Sequence, residues 1–173
     1  TQIIYLASEI GASGIINLLA LDVTQVPGQT MNNFTIRMKH TTLTYYSANA
    51  KWEGTGWTTV YQGNAPPGST GWRNFVFSNP FPYNGVNNLM VDISFNNTSA
   101  STDGLCRYSS PGGNRAIYFN SDSGHGDPLF WSGAQPRPLI SANVPNLMIS
   151  VTPLDNADTD EDGMPDWWEE LHA

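Results

Sequence analysis

Leu89-Met90-Val91-Asp92-Ile93-Ser94-Phe95 alternates without interruption, with Leu89, Val91, Ile93 and Phe95 on one side and Met90, Asp92 and Ser94 on the other. A period of two matches the pleat of a β-strand, and the apolar set predicts one buried face. Asn-Pro-Phe-Pro-Tyr-Asn-Gly (residues 79–85) precedes it and Asn-Asn-Thr-Ser (96–99) follows, both rich in turn formers. An apolar strand face needs a second apolar layer to cover it.

The rest of the chain supplies strands for that layer. Residues 3–6 and 15–23 read as strands on either side of Gly11-Ala-Ser-Gly14. Residues 34–40 place Phe34, Ile36, Met38 and His40 opposite Thr35, Arg37 and Lys39, so His40 continues an apolar face as a hydrogen-bonded histidine rather than a catalytic one. In 72–77, Trp72, Asn74 and Val76 alternate against Arg73, Phe75 and Phe77. Trp57 and Trp72 each flank a strand and are expected in the core. With 58–62, 105–108, 116–119, 139–142 and 147–151, about ten short strands result, and no helix is expected before residue 164. The pattern predicts an all-β, jelly-roll-type β-sandwich over residues 1–154.

The net charge of −8 is unevenly placed. Residues 1–154 hold seven acids and seven bases, and the other eight acids fall between Asp155 and Glu170. A neutral body offers no field for a phosphate backbone, which excludes nucleic acid as a partner. No run approaches the ~20 apolar residues of a membrane helix, so no membrane insertion is expected. The single cysteine, Cys106, fits no metal or redox spacing and reads as a small, partly buried side chain. The start at Thr1-Gln-Ile-Ile suggests a piece of a longer polypeptide.

The acidic tail, 155–173, carries the most specific motif. Asp158, Asp160 and Asp162 stand at positions one, three and five of a twelve-position Ca2+ loop. Gly163 takes the turn at six, Met164 offers its carbonyl at seven, Asp166 stands at nine and Glu169 at twelve. Calcium takes six to eight oxygens, and its charge offsets the repulsion among these carboxylates. A plain acidic linker gives no reason for the glycine and glutamate at those places.

No catalytic constellation emerges. The nucleophile elbow, the phosphate loop and the paired-histidine zinc motif are absent, and His40, His125 and His172 lie far apart. Glu53 with Asp103 or Asp127 could still meet in space as a carboxylate pair, but a sandwich surface brings many such pairs together, so the signal is weak. Aromatic residues are denser in the connections than a connection needs. Tyr45, Tyr46, Trp52 and Trp57 lie in one loop, and Phe130 and Trp131 in another. Such rings stack on the C–H faces of sugars, while Arg107, Arg115, His125, Asp127 and Gln135 have the donors and acceptors for hydroxyls. The candidate ligand site is therefore Tyr46, Trp52, Trp131, Arg115, His125 and Asp127. The alternative packs the same rings inward over the sandwich core.

The strings Tyr5-Leu-Ala-Ser-Glu-Ile10, Asn33-Phe-Thr-Ile-Arg-Met-Lys-His-Thr41, Thr58-Thr-Val-Tyr-Gln-Gly63 and Phe77-Ser-Asn-Pro-Phe-Pro-Tyr-Asn-Gly85 resemble a β-sandwich module, of carbohydrate-binding-module type, repeated in large secreted and surface proteins of bacteria. The tail resembles the Asp-rich calcium repeats of dockerin and thrombospondin type 3. These resemblances imply a secreted or cell-surface setting, adjacent modules in the same polypeptide and a structural Ca2+. They transfer no ligand residue. The expectation is a non-catalytic module binding polysaccharide or a surface glycan. The alternatives are a structural or adhesive spacer and, third, a glycan hydrolase or lyase.

Overall fold

The computed structural model describes residues 1–121, 124–153, 160, 162–165, 168 and 169. In chain order the strands are β1 (Gln2–Tyr5), β2 (Gly14–Gln25), β3 (Met31–Thr41), β4 (Thr58–Ala65), β5 (Gly71–Tyr83), β6 (Asn88–Ser94), β7 (Leu105–Cys106), β8 (Tyr108–Ser109), β9 (Ala116–Tyr118), β10 (Leu139–Ser141), β11 (Val144–Pro145) and β12 (Leu147–Thr152). One sheet runs β10-β9-β1-β6-β3-β4, and the other runs β12-β2-β5 with β7 also paired to β2. A two-stranded ribbon, β11-β8, stands beside them. The all-β architecture is as the alternation predicts. The layers are a six-stranded and a four-stranded sheet, and this order does not by itself make a jelly roll.

Between the sheets lies the main core. Ile16, Leu19, Leu21 and Val23 of β2 and Phe75, Phe77, Phe81 and Tyr83 of β5 meet Phe34, Ile36 and Met38 of β3 and Leu89 and Val91 of β6. Phe34 and Phe75 stack across the layers at 4.9 Å. A second core covers the outer side of the six-stranded sheet, where Ile4, Met90 and Ile117 pack under Tyr46 and Trp52.

That second core changes the reading of β6. Its polar-looking side is also buried: Met90, Asp92 and Ser94 are all inaccessible, because β6 is a central strand roofed by two loops. Phe95, assigned to the inner face, lies beyond the strand end and is half exposed. Two further differences concern boundaries. Residues 79–83 continue β5 rather than turning, with Pro82 opposite Ile15. Proline is tolerated there because β5 is an edge strand whose outer side needs no N–H donor. A four-residue helix, α1 (Ala7–Ile10), precedes the predicted first helix, with Glu9 Oε2 accepting from the Leu6 amide at 3.0 Å. The predicted domain boundary at residue 154 lies outside the described residues. Among those described, no helix is long and apolar enough to cross a membrane.

Candidate functional site

The aromatic loops form a roof. The Trp52 amide donates to Gly133 O at 2.8 Å and the Gly133 amide returns to Trp52 O at 3.0 Å, so the two loops pair like strands. Trp52 is only 4% exposed, its indole N–H donates to Pro136 O at 2.6 Å, and its ring lies 5.2 Å from that of Trp131. Tyr46 is buried with its hydroxyl against Met90 Sδ, and burial holds that phenol far above its ordinary range. Trp131 is half-buried; its indole N–H donates to His125 O, and Phe119 stands edge-on to both Trp131 and His125.

Polar groups clamp this roof to the sheet. The Gln2 side chain donates to Glu53 O and accepts from the Glu53 amide, as a neighbouring strand would. Lys39 Nζ reaches Glu53 Oε2 at 2.8 Å. Arg37, beneath, bonds Asp92 Oδ2 through Nε at 2.9 Å and Leu129 O through Nη1 at 3.0 Å. Trp57 is not in the main core. It lies on the roof side under two cations, with Arg37 and Lys39 near 5 Å from its ring.

The six expected ligand residues are therefore mostly committed to the fold. Tyr46, Trp52 and Arg115 are buried. Arg115 is bound by Glu9 through both Nη atoms, at 2.7 and 2.9 Å. Asp127 accepts from the Leu129 amide and caps the 3-10 turn Pro128–Phe130. Of the six only His125 is exposed. The rings face inward because Ile4, Met90 and Ile117 make an apolar patch on the outer side of the six-stranded sheet that needs a cover.

Aromatic surface appears elsewhere. Trp72, expected in the core, is 50% exposed on the outer side of the four-stranded sheet. The register sets it directly opposite Asp22, and Asp22 Oδ2 pairs with Arg107 Nε at 3.0 Å. Asn74 stands opposite Ala20, with Met148 beyond it; Val76 stands opposite Leu18, with Ser150 beyond. Trp72, Asn74, Val76 and Met148 are exposed on this face, while Ala20 between them is buried. The alternation Trp72-Asn74-Val76 in the sequence was the available signal, but which side it occupies depends on the layer that Phe75 and Phe77 join.

In the tail, Asp158 and Asp166 lie outside the described residues. Asp160, Asp162 and Glu169 do come together, their carboxylate oxygens within 4.8 Å of one another. Gly163 has φ +93°, a left-handed conformation glycine alone adopts readily, and Asp162 Oδ1 accepts from the Met164 amide at 2.8 Å. The turn and the convergent hard oxygens fit the donor set of a calcium loop.

His40 is the hydrogen-bonded histidine its position predicts. It stacks on Tyr83 at 5.7 Å and accepts from the Asn84 amide through Nε2 at 3.1 Å. Burial lowers its pKa below the ordinary 6.5, so the folded state favours neutral imidazole. A depressed folded pKa gives stability that is present above the unfolded value and lost as pH falls. Thermal melts from pH 7.5 down to about 5.5 are expected to lose more stability in the native chain than in His40→Gln. Equal slopes refute the assignment.

Compared with known families, curated proteins and solved structures, the chain finds no match in any of the three.

Proposed function

We propose that this chain is a non-catalytic polysaccharide-binding module of a secreted multimodular protein, with the glycan lying across the outer face of the four-stranded sheet. The observation that carries the reading is Trp72, half exposed on the four-stranded sheet beside a carboxylate–guanidinium pair. The ring supplies a stacking surface, and Asp22, Arg107 and Asn74 supply acceptors and donors for hydroxyls. Because Asp22 and Arg107 neutralise each other, the fitting ligand is a neutral chain. A second reading, a structural spacer, is favoured by the inward packing of Tyr46 and Trp52.

Affinity electrophoresis against a panel of neutral polysaccharides separates the two. Trp72→Ala is expected to weaken retardation at least about tenfold, or ~1.4 kcal/mol, while leaving the melting temperature nearly unchanged, as exposed substitutions do. No retardation of the native chain by any polysaccharide abandons the glycan and leaves the spacer.

The tail we read as a structural calcium loop at the junction with an adjacent module, on the convergence of Asp160, Asp162 and Glu169. Calorimetric titration with Ca2+ is expected to give one site, lost in Asp160→Ala. A flat titration of the native chain removes the ion.

A further inference from the structure

Of the strands that end the two sheets, β12 is the one left open. β4 and β5 lie against each other where the sandwich closes. β5 also carries Arg73, Pro80 and Pro82, and β10 is three residues long and follows Arg137-Pro138. Charge, proline and shortness are the usual protections of a sheet edge. β12 reads Leu-Met-Ile-Ser-Val-Thr, with neither charge nor proline, and it pairs with β2 on one side only among the described residues. Its Leu147, Ile149 and Val151 pack against the main core yet stay half-buried. Leu147 and Ile149 line a cleft of about 350 Å³ together with Tyr5, Ile10, Leu89 and Val144. No residue of β2 lines it, so the cleft opens on the free side of β12. Met148 and Ser150 alternate to the opposite face, which separates this cleft from the surface around Trp72.

We propose that β12 takes up an extended peptide of a partner protein as an added antiparallel strand, its alternate apolar side chains entering the cleft and its basic N-terminal end beside Thr152. The free N–H and C=O groups of the edge give the affinity, and the cleft selects the side chains. The charge preference comes from the chain that follows: it turns acidic at Asp155, three positions past Thr152, and holds eight acids by Glu170. An antiparallel partner places its first residues at that end, where cations are favoured. A second copy does not fit this edge. β6 faces β12 across the cleft through Leu89, and β1, β9 and β10 continue the same sheet beyond it. The inner sides of β1 and β9 meet Val144 of the ribbon rather than the four-stranded sheet. A copy paired through β12 brings its own six-stranded sheet into the layer those strands already fill, whereas a single strand brings none.

The probe is acetyl-Lys-Lys-Val-Thr-Val-Thr-Val-amide, titrated at low salt into the full chain and followed by ¹H–¹⁵N NMR. Shifts are expected at residues 147–152, Tyr5 and Ile10, with a dissociation constant on the order of 0.1–1 mM. The β12 amides that point away from β2 are expected to exchange more slowly in the complex. Glutamates in place of the two lysines are expected to weaken binding at least about fivefold, and added salt to narrow the gap. Prolines at two adjacent central positions of the peptide remove a ladder donor in either register and are expected to abolish binding. Ile149→Lys, an inward-pointing charge on the edge, is expected to do the same; should it disturb the fold, the proline peptide still tests the ladder on the native chain. No shifts at millimolar peptide, shifts centred on Trp72, or proline or glutamate peptides binding as tightly each overturn the proposal. So does a dimer of the native chain in sedimentation that Ile149→Lys abolishes, which gives the edge to a second copy.

Discussion

Asp92→Ala is expected to destabilise the protein by about 3–5 kcal/mol, the range for removing one partner of a buried ion pair. Both side chains are nearly inaccessible, at 9% and 4% exposure, with Arg37 Nη2 2.7 Å from Asp92 Oδ2. Arg37 and Asp92 are register partners on adjacent strands β3 and β6, under the loop roof. Without Asp92, the guanidinium keeps its bond to Leu129 O and its place over Trp57 but has no counter-charge. For a chain of this size the loss corresponds to a melting point lower by roughly 6–20 °C. The double variant Arg37→Met, Asp92→Ala removes the charge as well as its partner and is expected to recover most of the loss, since apolar replacements of buried pairs are often neutral. A single variant within about 1 kcal/mol of the native chain means water reaches the pair and the roof is not closed.

The strands were most legible where residues 34–40, 72–77 and 89–95 keep a period of two, a signal that needs no partner. The inner faces followed from it: Phe34, Ile36 and Met38, then Phe75 and Phe77, then Leu89 and Val91 all enter the main core. What failed was the opposite side of the same strands. Asp92 and Ser94 read as solvent-facing because their polarity is local, whereas the group that makes burial of Asp92 tolerable stands on β3, fifty-five positions away. The same gap misplaced the tryptophans. Their number in the loops was visible, but whether a ring covers protein or meets solvent depends on which sheet lies beneath it and whether that sheet has a cover. Trp52 has Ile4, Met90 and Ile117 beneath it and turns inward. Trp72 lies on the outer side of the four-stranded sheet, and half of it stays in solvent. In the tail the spacing was enough to bring Asp160, Asp162 and Glu169 together, because those carboxylates stand close along the chain.

Trp52→Ala therefore tests stability before it tests binding, with an expected cost of about 3–5 kcal/mol for deleting a buried indole. The loss has two parts. A large ring leaves a layer that includes Tyr46, Trp131, Ile4, Met90 and Ile117, and Pro136 O loses the donor that ties one loop to the other. Damage is expected to concentrate in the roof, because the main core between the sheets does not include Trp52. Amide exchange should accelerate first at Tyr46, Trp52 and Gly133, whose backbone bonds join the loops to each other and to Asn114, while β2 and β5 keep their protection. Trp52→Phe keeps part of the apolar volume but loses the indole N–H, and is expected to fall between the native chain and the alanine variant. Polysaccharide retardation, measured below the melting point of Trp52→Ala and corrected for folded fraction, is expected to remain while Trp72→Ala loses it. The reverse pattern, a stable Trp52→Ala chain that no longer binds while Trp72→Ala still does, would return the glycan to the loops.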